Sequence, residues 1–286
     1  NGSVGELSAY VVEDSGVTTL PSVGSTVSSF TAGTTSDVSA STYTIDITVD
    51  EVNDAPTASN ATFATNVAED DSDPTGVTVA TLFSSFSDVT DDKSSFSGSS
   101  ADNLQGIFIT ADTSTTTEGT WQFSTDSGSS WSNVSSVSYS STNPLYLNTT
   151  SQLRFVPTGD YNGSVGELSA YVVEDSSVTT LPSVGSTVSS YTAGTTSDVS
   201  ASTYTIDITV DSVNDAPAAA NVSFASNVAE DDFTADGETV TSLFGSVFTD
   251  AGDVSSTAGA NNLAGIAISG DASTSAQGEW EYKVTG

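Results

Sequence analysis

The stretch Thr203-Tyr-Thr-Ile-Asp-Ile-Thr-Val-Asp211 decides the fold class. Large apolar residues alternate with polar ones along it, which is the pattern of a half-buried β-strand. Similar patterns predict further strands, and no segment shows helical periodicity, because Ser, Thr, Val and Gly all disfavour helix. The sequence therefore predicts an all-β fold. The further predicted strands are Glu167–Val173, Ser151–Val156, Leu104–Ile109, Trp121–Ser124 and a first strand at Ala61–Val67.

An internal repeat sets the domain organisation. Residues 1–56 return as 162–217, an offset of 162 − 1 = 161, and the two copies differ at Gly16/Ser177, Phe30/Tyr191 and Glu51/Ser212. The following stretch returns more loosely, as in Asn66-Val-Ala-Glu-Asp-Asp71 and Asn227-Val-Ala-Glu-Asp-Asp232. A period of this length exceeds the roughly 20–45 residues of a solenoid repeat, so we expect separate modules in tandem.

The repeat predicts three segments: the C-terminal part of one module at 1–56, a complete module at 57–217, and the N-terminal part of the next at 218–286. About seven or eight short strands per module predict an antiparallel β-sandwich of immunoglobulin-like type. The stretch 176–200 has few large apolar residues, and it is interpreted as a long hairpin or a loop insertion.

Composition excludes several classes of function. The net charge is 3 − 37 = −34, so the chain lacks the basic surface that nucleic acids or anionic lipids require. With no His and no Cys, histidine-dependent triads, disulfides and thiolate metal sites are impossible. Hard cations with oxygen ligands are the plausible metals. No apolar run approaches the roughly 18 residues of a membrane span, so no direct membrane insertion is expected.

The predicted module junctions carry an acidic motif, Asp50-Glu-Val-Asn-Asp-Ala-Pro56, repeated as Asp211-Ser-Val-Asn-Asp-Ala-Pro217. Each follows an alternating strand and ends in Pro, which cannot continue a β-ladder. Oxygen-bearing side chains so closely spaced suit Ca²⁺, which takes six to eight oxygen ligands. The same Asn and Asp side chains also cap turns. Spacing alone leaves both interpretations open.

Val-Asn-Asp-Ala-Pro after a strand resembles the linker of cadherin and cadherin-like domains, whose calcium motif is Asp-x-Asn-Asp followed by Pro. Upstream, Tyr10-Val-Val-Glu-Asp-Ser-Gly16 resembles the cadherin strand that ends in Ala-x-Asp-x-Gly, which places Asp14 and Asp175 at a ligand position. Downstream, Ala68–Asp71 and Ala229–Asp232 resemble the acidic turn in which Glu69 and Glu230 match a ligand Glu.

This sequence departs from the cadherin pattern at several points. The leading Asp of the motif falls on Glu51 and Ser212, although Asp50 and Asp211 lie beside them, and the Asp-Arg-Glu motif is not found. The resemblance thus implies about one or two calcium ions per junction, fewer than a full cadherin junction holds. The implied ligands are Asp14, Asp50, Asn53, Asp54, Glu69, Asp70, Asp71, Asp175, Asp211, Asn214, Asp215, Glu230, Asp231 and Asp232.

The module as a whole resembles the cadherin-like tandem repeats of large bacterial surface adhesins of the type I secreted, RTX-type class. The ordered features are the Glu-Asp-Asp turn, Leu-x-Gly-Ile, Gly-Thr-Trp-Gln-Phe-Ser-Thr-Asp, Leu-Arg-Phe-Val-Pro, Asp-Tyr-Asn-Gly and Val-Asn-Asp-Ala-Pro. The resemblance implies an extracellular, cell-surface extender: a calcium-stiffened rod for cell adhesion or biofilm attachment, with neighbouring modules of the same chain as its partners.

Two other functions stay open. One is a subunit of an extracellular filament, sheath or surface layer, in which β-modules of several copies contact one another. The other is a carbohydrate-binding adhesive module that recognises cell-surface glycans, which predicts exposed aromatic clusters near Tyr139, Tyr146 or Tyr161.

No enzyme is expected. Paired carboxylates such as Asp91-Asp92, Asp70-Asp71 and Glu174-Asp175 could hydrolyse glycosides without His, but they fall at predicted turns rather than in a cleft. Ser124-Thr-Asp-Ser-Gly-Ser-Ser-Trp131 resembles the Asp-box, a structural hairpin device. In it we expect Asp126 to bond turn amides, Gly128 to take a positive φ and Trp131 to pack beneath.

Overall fold

A computed structural model describes residues 2–14, 22–50, 52–92, 101–175, 180–253 and 260–284. Short strands dominate these residues, so the predicted all-β class is confirmed. In chain order the strands are β1 (Gly2–Ser3), β2 (Leu7–Ala9), β3 (Tyr43–Ile45), β4 (Thr48–Val49), β5 (Ala61–Thr62), β6 (Val67–Ala68), β7 (Val77–Thr78), β8 (Leu104–Asp112), β9 (Gly119–Ser124), β10 (Ser132–Asn133), β11 (Leu145–Asn148), β12 (Gln152–Pro157), β13 (Gly163–Ser164), β14 (Leu168–Glu174), β15 (Tyr204–Asp207) and β16 (Thr209–Asp211).

Two single-turn α-helices, α1 (Val79–Leu82) and α2 (Val240–Phe244), and a 3₁₀ turn at Val134–Ser136 interrupt the strands of the described residues. The sequence predicts no helix, because elements this short cannot display a 3.6-residue period. Each α-helix begins at a threonine cap: the hydroxyl of Thr78 accepts from the N–H of Thr81 at 3.3 Å, and that of Thr239 accepts from Ser242 at 3.0 Å.

The strands of the complete module form three sheets. Their orders are β11-β8-β14-β15-β5, β10-β9-β12-β7 and β13-β16-β6. Strands β5 and β6 run parallel to β15 and β16, and the other strand pairs of the described residues are antiparallel. In the first segment, β1 pairs with β4 and β2 pairs with β3.

The alternating stretch that predicts the fold divides into β15 and β16. Ile206, Ile208 and Val210 are all buried, as the alternation predicts. The division at Ile208 occurs where the chain changes partner, from β5 in the five-stranded sheet to β6 in the three-stranded one. The predicted first strand is divided in the same way, since β5 and β6 are separated by residues 63–66.

The two largest sheets share one apolar core around Trp121. The ring of Trp121 is fully buried, with its centroid 5.2 Å from that of Phe155 and 5.8 Å from that of Phe63. Its indole N–H donates to the carbonyl of Gly166 at 2.9 Å, which satisfies the polar atom of the ring. Shared burial of this kind is what a β-sandwich requires. The immunoglobulin-like assignment and the three segment boundaries stay predictions.

The Asp-box turn has the predicted bonds. The carboxylate of Asp126 accepts from the N–H of Ser130 at 2.9 Å and from the hydroxyl of Ser124 at 2.7 Å, and Gly128 has a φ of +84°. The hydroxyls of Ser130 and Ser124 lower the pKa of Asp126 to about 2. These bonds confirm the structural interpretation of the motif.

Arg154 is buried at the centre of the four-stranded sheet. Its guanidinium lies 4.1 Å from the ring centroid of Trp131, pairs with the carboxylate of Asp73, and donates through Nε to Gln122 at 2.9 Å. Arg154 is one of only three bases in the chain, and these contacts occupy it within the module.

Residues 180–200 form the predicted insertion, a loop with isolated bridges; residues 176–179 lie outside the described residues. The ring of Tyr191 stands edge-on to Phe108 at 5.4 Å and to Tyr171 at 5.7 Å, in a second apolar cluster. The loop is also bonded to β11, because Tyr146 donates to the carbonyl of Ser186 and Gly185 donates back to Tyr146. It therefore covers the face of the five-stranded sheet that points away from Trp121.

We expect Tyr191→Ala to lower the free energy of unfolding by about 2–4 kcal/mol, because it removes the ring that fills the second cluster. Tyr191→Phe is the matched control, since the repeat carries Phe30 at this position, 5.1 Å from Tyr10. It keeps the ring and loses the hydroxyl, whose bond to the carbonyl of Ser141 is worth about 1 kcal/mol. Urea unfolding followed by tryptophan fluorescence measures both. Equal losses in the two variants would contradict packing as the role of Tyr191.

Candidate metal centres at the two linkers

The first linker is tied to one end of the complete module by side chains. The amide of Asn53 donates to Glu174 Oε1 at 2.7 Å, and the backbone N–H of Asp54 donates to Asp91 Oδ2 at 2.9 Å. Glu174 ends β14, and Asp91 lies in the turn after α1. We call the following residues the first-linker cluster: Asn53, Asp54, Asp88, Asp91, Asp102 and Glu174.

Three carboxylates of the first-linker cluster converge. Asp88, Asp91 and Asp102 each place an oxygen within 4.8 Å of the others, and Asp88 and Asp91 are buried. Oxygens on opposite sides of one Ca²⁺ lie about 5 Å apart, since each Ca–O distance is about 2.3–2.6 Å. The spacing of the three carboxylates is therefore that of ligands around a single cation.

Two oxygens in this cluster are buried without a hydrogen bond. They are Oδ1 of Asp88, a residue 5% exposed, and Oε2 of Glu174, a residue 2% exposed. A buried carboxylate oxygen with no donor is costly unless the group is protonated or binds a cation. These two atoms identify the cluster as a candidate cation site.

The electrostatics of the cluster point the same way. Burial raises the pKa of Glu174 to about 8, and the charges of Asp88, Asp102 and Asp198 add to the shift, although the hydrogen bond from Asn53 opposes it. Burial also raises the pKa of Asp88, helped by the charges of Asp91, Asp102 and Asp54. Both shifts have the direction expected where burial and neighbouring carboxylates disfavour negative charge.

The second linker repeats the geometry of the first. The N–H of Asp215 donates to Asp253 Oδ1 at 2.9 Å, just as the N–H of Asp54 donates to Asp91 in the first linker. The N–H of Asn261 donates to Asp250 Oδ2 at 2.6 Å. The segment Asp88-Val-Thr-Asp91 is matched by Asp250-Ala-Gly-Asp253. The same acidic turn therefore receives each linker.

At the second linker the complete module also contributes carboxylates. Glu69 is 1% exposed and accepts from the amide of Asn162 at 2.7 Å and from the backbone N–H of Val213. Oδ2 of Asp215 is buried without a hydrogen bond. Burial raises the pKa of Asp215, and four neighbouring charges add to the shift. We call these groups the second-linker cluster: Glu69, Asp70, Asp160, Asp215 and Asp253.

The structure brings five of the predicted ligands into these clusters: Asn53, Asp54, Glu69, Asp70 and Asp215. Asp175 lies beside the first-linker cluster, where it accepts from the N–H of Asn103 at 2.8 Å. The cadherin-like strand motif predicts Asp175 as the ligand, but the side chain that enters the cluster is that of the preceding residue, Glu174.

The other predicted ligands belong to neither cluster. Three of them make the bonds of turns or strands: Asp71 accepts from Asp73, Asp232 from Thr234, and Asp211 from the amide of Asn66. Asn214 borders the second-linker cluster: its amide donates to the carbonyl of Asp215, and its Oδ1 accepts at 3.5 Å from the amide of Asn261, which also donates to Asp253. The remaining four are exposed: Asp14, Asp50, Glu230 and Asp231.

Several cluster members were not predicted as ligands: Asp88, Asp91, Asp102, Asp160, Glu174 and Asp253. The signal that could have found some of them is the recurrence of Asp-x-x-Asp at 88–91 and 250–253 in otherwise dissimilar sequence. In the sequence, Asp91 and Glu174 stand out only as members of carboxylate pairs. Asp102 has no such signal, because its counterpart in the repeat is Asn261.

The carbohydrate-binding alternative predicts exposed aromatic rings near Tyr139, Tyr146 or Tyr161. Tyr146 is buried beneath the insertion and offers no exposed ring for a sugar, whereas Tyr139 and Tyr161 are half-buried. A cavity of about 570 Å³ opens between β6 and β7, lined by Phe63, Val67 and other apolar groups; neither cluster lines it. The absence of catalysis stays a prediction.

Comparison with models of protein families, with curated proteins and with solved structures finds no match for this chain. In the part of the chain that the structure describes, no helix has the length and apolar character needed to cross a membrane.

We expect the metal-free protein to lose stability as the pH rises from about 5 to about 8. The folded-state pKa of Glu174, about 8, lies above its ordinary value of 4.5, so the folded protein binds more protons than the unfolded chain in this range. The free energy of unfolding then falls with pH, by at most about 1.4 kcal/mol per pH unit for each proton. Thermal unfolding in chelator across this range measures the slope.

Glu174→Gln should flatten this slope, because an amide does not titrate. Glu13→Gln is the matched control: Glu13 is the repeat counterpart of Glu174 and is exposed. A slope that is unchanged in Glu174→Gln, or one that Glu13→Gln lowers equally, would contradict the assignment to Glu174.

Proposed function

We propose that this chain is an extracellular spacer made of tandem β-modules, whose linkers are stiffened by Ca²⁺. The observation that carries the proposal is the set of buried, unpartnered carboxylate oxygens of Asp88, Glu174 and Asp215, which lie where linker and module meet. Among the described residues, converging carboxylates and such oxygens coincide at the first linker; Asp207 Oδ1 is also buried without a hydrogen bond but belongs to neither cluster.

The choice of Ca²⁺ follows from the available ligands. The clusters offer carboxylate and amide oxygens alone, and the chain contains neither His nor Cys. Such hard ligands in irregular loops favour Ca²⁺, which accepts variable geometry, over Mg²⁺, which demands a near-ideal octahedron. Asp88, Asp91, Asp102 and Glu174 would hold the ion at the first linker, with Asn53 and Asp54 supplied by the linker itself.

A bound cation would replace repulsion by attraction at each junction. Carboxylates within about 4 Å of one another repel by several kcal/mol at the effective dielectric constant of a protein surface. A divalent ion reverses the sign of that interaction. Extracellular modules bind Ca²⁺ at roughly 0.1–1 mM, so a tenfold excess adds about 1.4 kcal/mol of stability per site. Linkers held in this way would turn a string of modules into a rod.

The location and use of the rod are part of the proposal. Sites of millimolar affinity are filled where calcium is abundant, which is outside the cell. A chain with three bases also offers few sites to proteases that cut after Lys or Arg. Near-identical modules set a length, and with the resemblance noted above this supports a stalk that carries a cell-surface adhesin towards its target.

We expect the effect of Asp88→Asn on stability to differ in sign between chelator and calcium. In chelator the variant should be at least as stable as the parent, because it removes one repelling charge; in about 5 mM Ca²⁺ it should be less stable, because it removes a ligand. Asp236→Asn, an exposed site outside both clusters, is the charge-matched control. Calorimetry with and without calcium measures the shift in melting temperature.

The same samples test stiffening by small-angle scattering, since ordered linkers lengthen the particle. An identical calcium-induced rise in melting temperature in the parent and in Asp88→Asn would contradict the site. Particle dimensions and a melting temperature that are the same with and without calcium would contradict calcium stiffening.

A further inference from the structure

The complete module is closed by two parallel strand pairs. Strand β5 pairs with β15, with Ala61 opposite Ile206, and β6 pairs with β16, with Val67 opposite Val210. Backbone bonds join the same segments: Phe63 donates to the carbonyl of Asp207 and Glu69 to that of Asp211, both at 3.0 Å. The first and last strands of the module are thus bonded side by side.

Side chains extend this bonding beyond the strands. The N–H of Thr205 donates to the amide oxygen of Asn60 at 3.1 Å, and the amide of Asn66 donates to Asp211 Oδ1 at 2.7 Å. At the far end, the N–H of Val213 donates to the carboxylate of Glu69. We call segments 60–69 and 204–213 together the parallel clamp.

The linkers leave the clamp at opposite ends. The first linker ends at Pro56, just before β5, and its side chains bond to the end of the module that holds Glu174. The second linker follows β16 and bonds to the end that holds Glu69. Because the paired strands are parallel, tension between the linkers would draw β5 and β6 one way and β15 and β16 the other, along the strand axes.

We propose that the parallel clamp is the mechanical element that resists tension on the module. Force along the axes loads all bonds of the clamp at once, so they must break together. Force applied across a strand pair at one end would break the same bonds singly. Ala61, Val67, Ile206 and Val210 are buried around the clamp, which limits the access of water to its backbone bonds. The inference rests on the proposed spacer role for the presence of a load.

Pulling direction gives a direct test, because the chain has no Cys and introduced cysteines set the points of attachment. Ser59→Cys with Ser212→Cys loads the clamp along its strands. Ser59→Cys with Ser202→Cys, the matched control, loads it across one end. All three serines are exposed and lie outside the strands. Single-molecule unfolding at one constant force measures both pairs in the 286-residue chain.

We expect the Ser59/Ser212 pair to unfold at least about a hundredfold more slowly than the Ser59/Ser202 pair, because several bonds of ordinary strength must break together. Rates within about threefold of each other, or in the reverse order, would overturn the clamp, since bulk stability is common to both pairs.

A variant tests the side chains of the clamp. Asn60→Ala with Asn66→Ala should raise the unfolding rate in the Ser59/Ser212 geometry about tenfold and leave the Ser59/Ser202 geometry within about threefold. Asn133→Ala, at the edge strand β10, is the control and should change neither. Equal acceleration in both geometries would contradict the assigned role of the two asparagines.

The measurement separates the clamp from the calcium proposal when repeated with calcium and with chelator. The clamp requires a difference between pulling directions in both conditions. A melting temperature that is the same with and without calcium would contradict the metal sites but not the clamp. Equal unfolding rates in the two pulling directions would contradict the clamp but not the metal sites.

Discussion

Mutual repulsion of buried carboxylates is the constraint on which both linker clusters depend. With 37 acidic residues and three bases, ion pairing within the chain cannot neutralise most of the acids. Buried Arg154 is engaged by Asp73 and Trp131 and belongs to neither cluster. Buried Asp88 and Glu174 consequently keep oxygens that no donor of the described residues satisfies. A cation from solution is the physical remedy, and it would act where one module meets the next.

Glu69 belongs to both devices inferred from the structure. One of its oxygens accepts from the backbone of Val213 in the parallel clamp, and its charge lies among those that raise the pKa of Asp215 in the second-linker cluster. An ion in that cluster would therefore hold the carboxylate that bonds the end of the clamp. Cation binding and resistance to tension would then strengthen one another without any change of fold.

The fold was largely predictable because its signals are local, whereas the clusters are not. The alternation of Ile206, Ile208 and Val210 predicts their burial directly. The division of that strand at Ile208 could not be predicted, because it depends on partner strands far away in the sequence. Ile206 pairs with Ala61, at a separation of 206 − 61 = 145 residues. Linker residues such as Asp54 were found through their motif. Asp88 and Asp102 were missed because loop carboxylates carry no period, and only folding brings them together.

The insertion at 180–200 has a consequence for chains built of near-identical units. Strand β11 is the outermost strand of its sheet, and Tyr146 exchanges backbone bonds with the insertion at Gly185 and Ser186. Without that cover, the free side of β11 would be open to a strand of another unit. Misassembly between adjacent identical domains is a known hazard of repetitive proteins during synthesis. By bonding to this edge from within the same chain, the insertion denies it to a strand from outside.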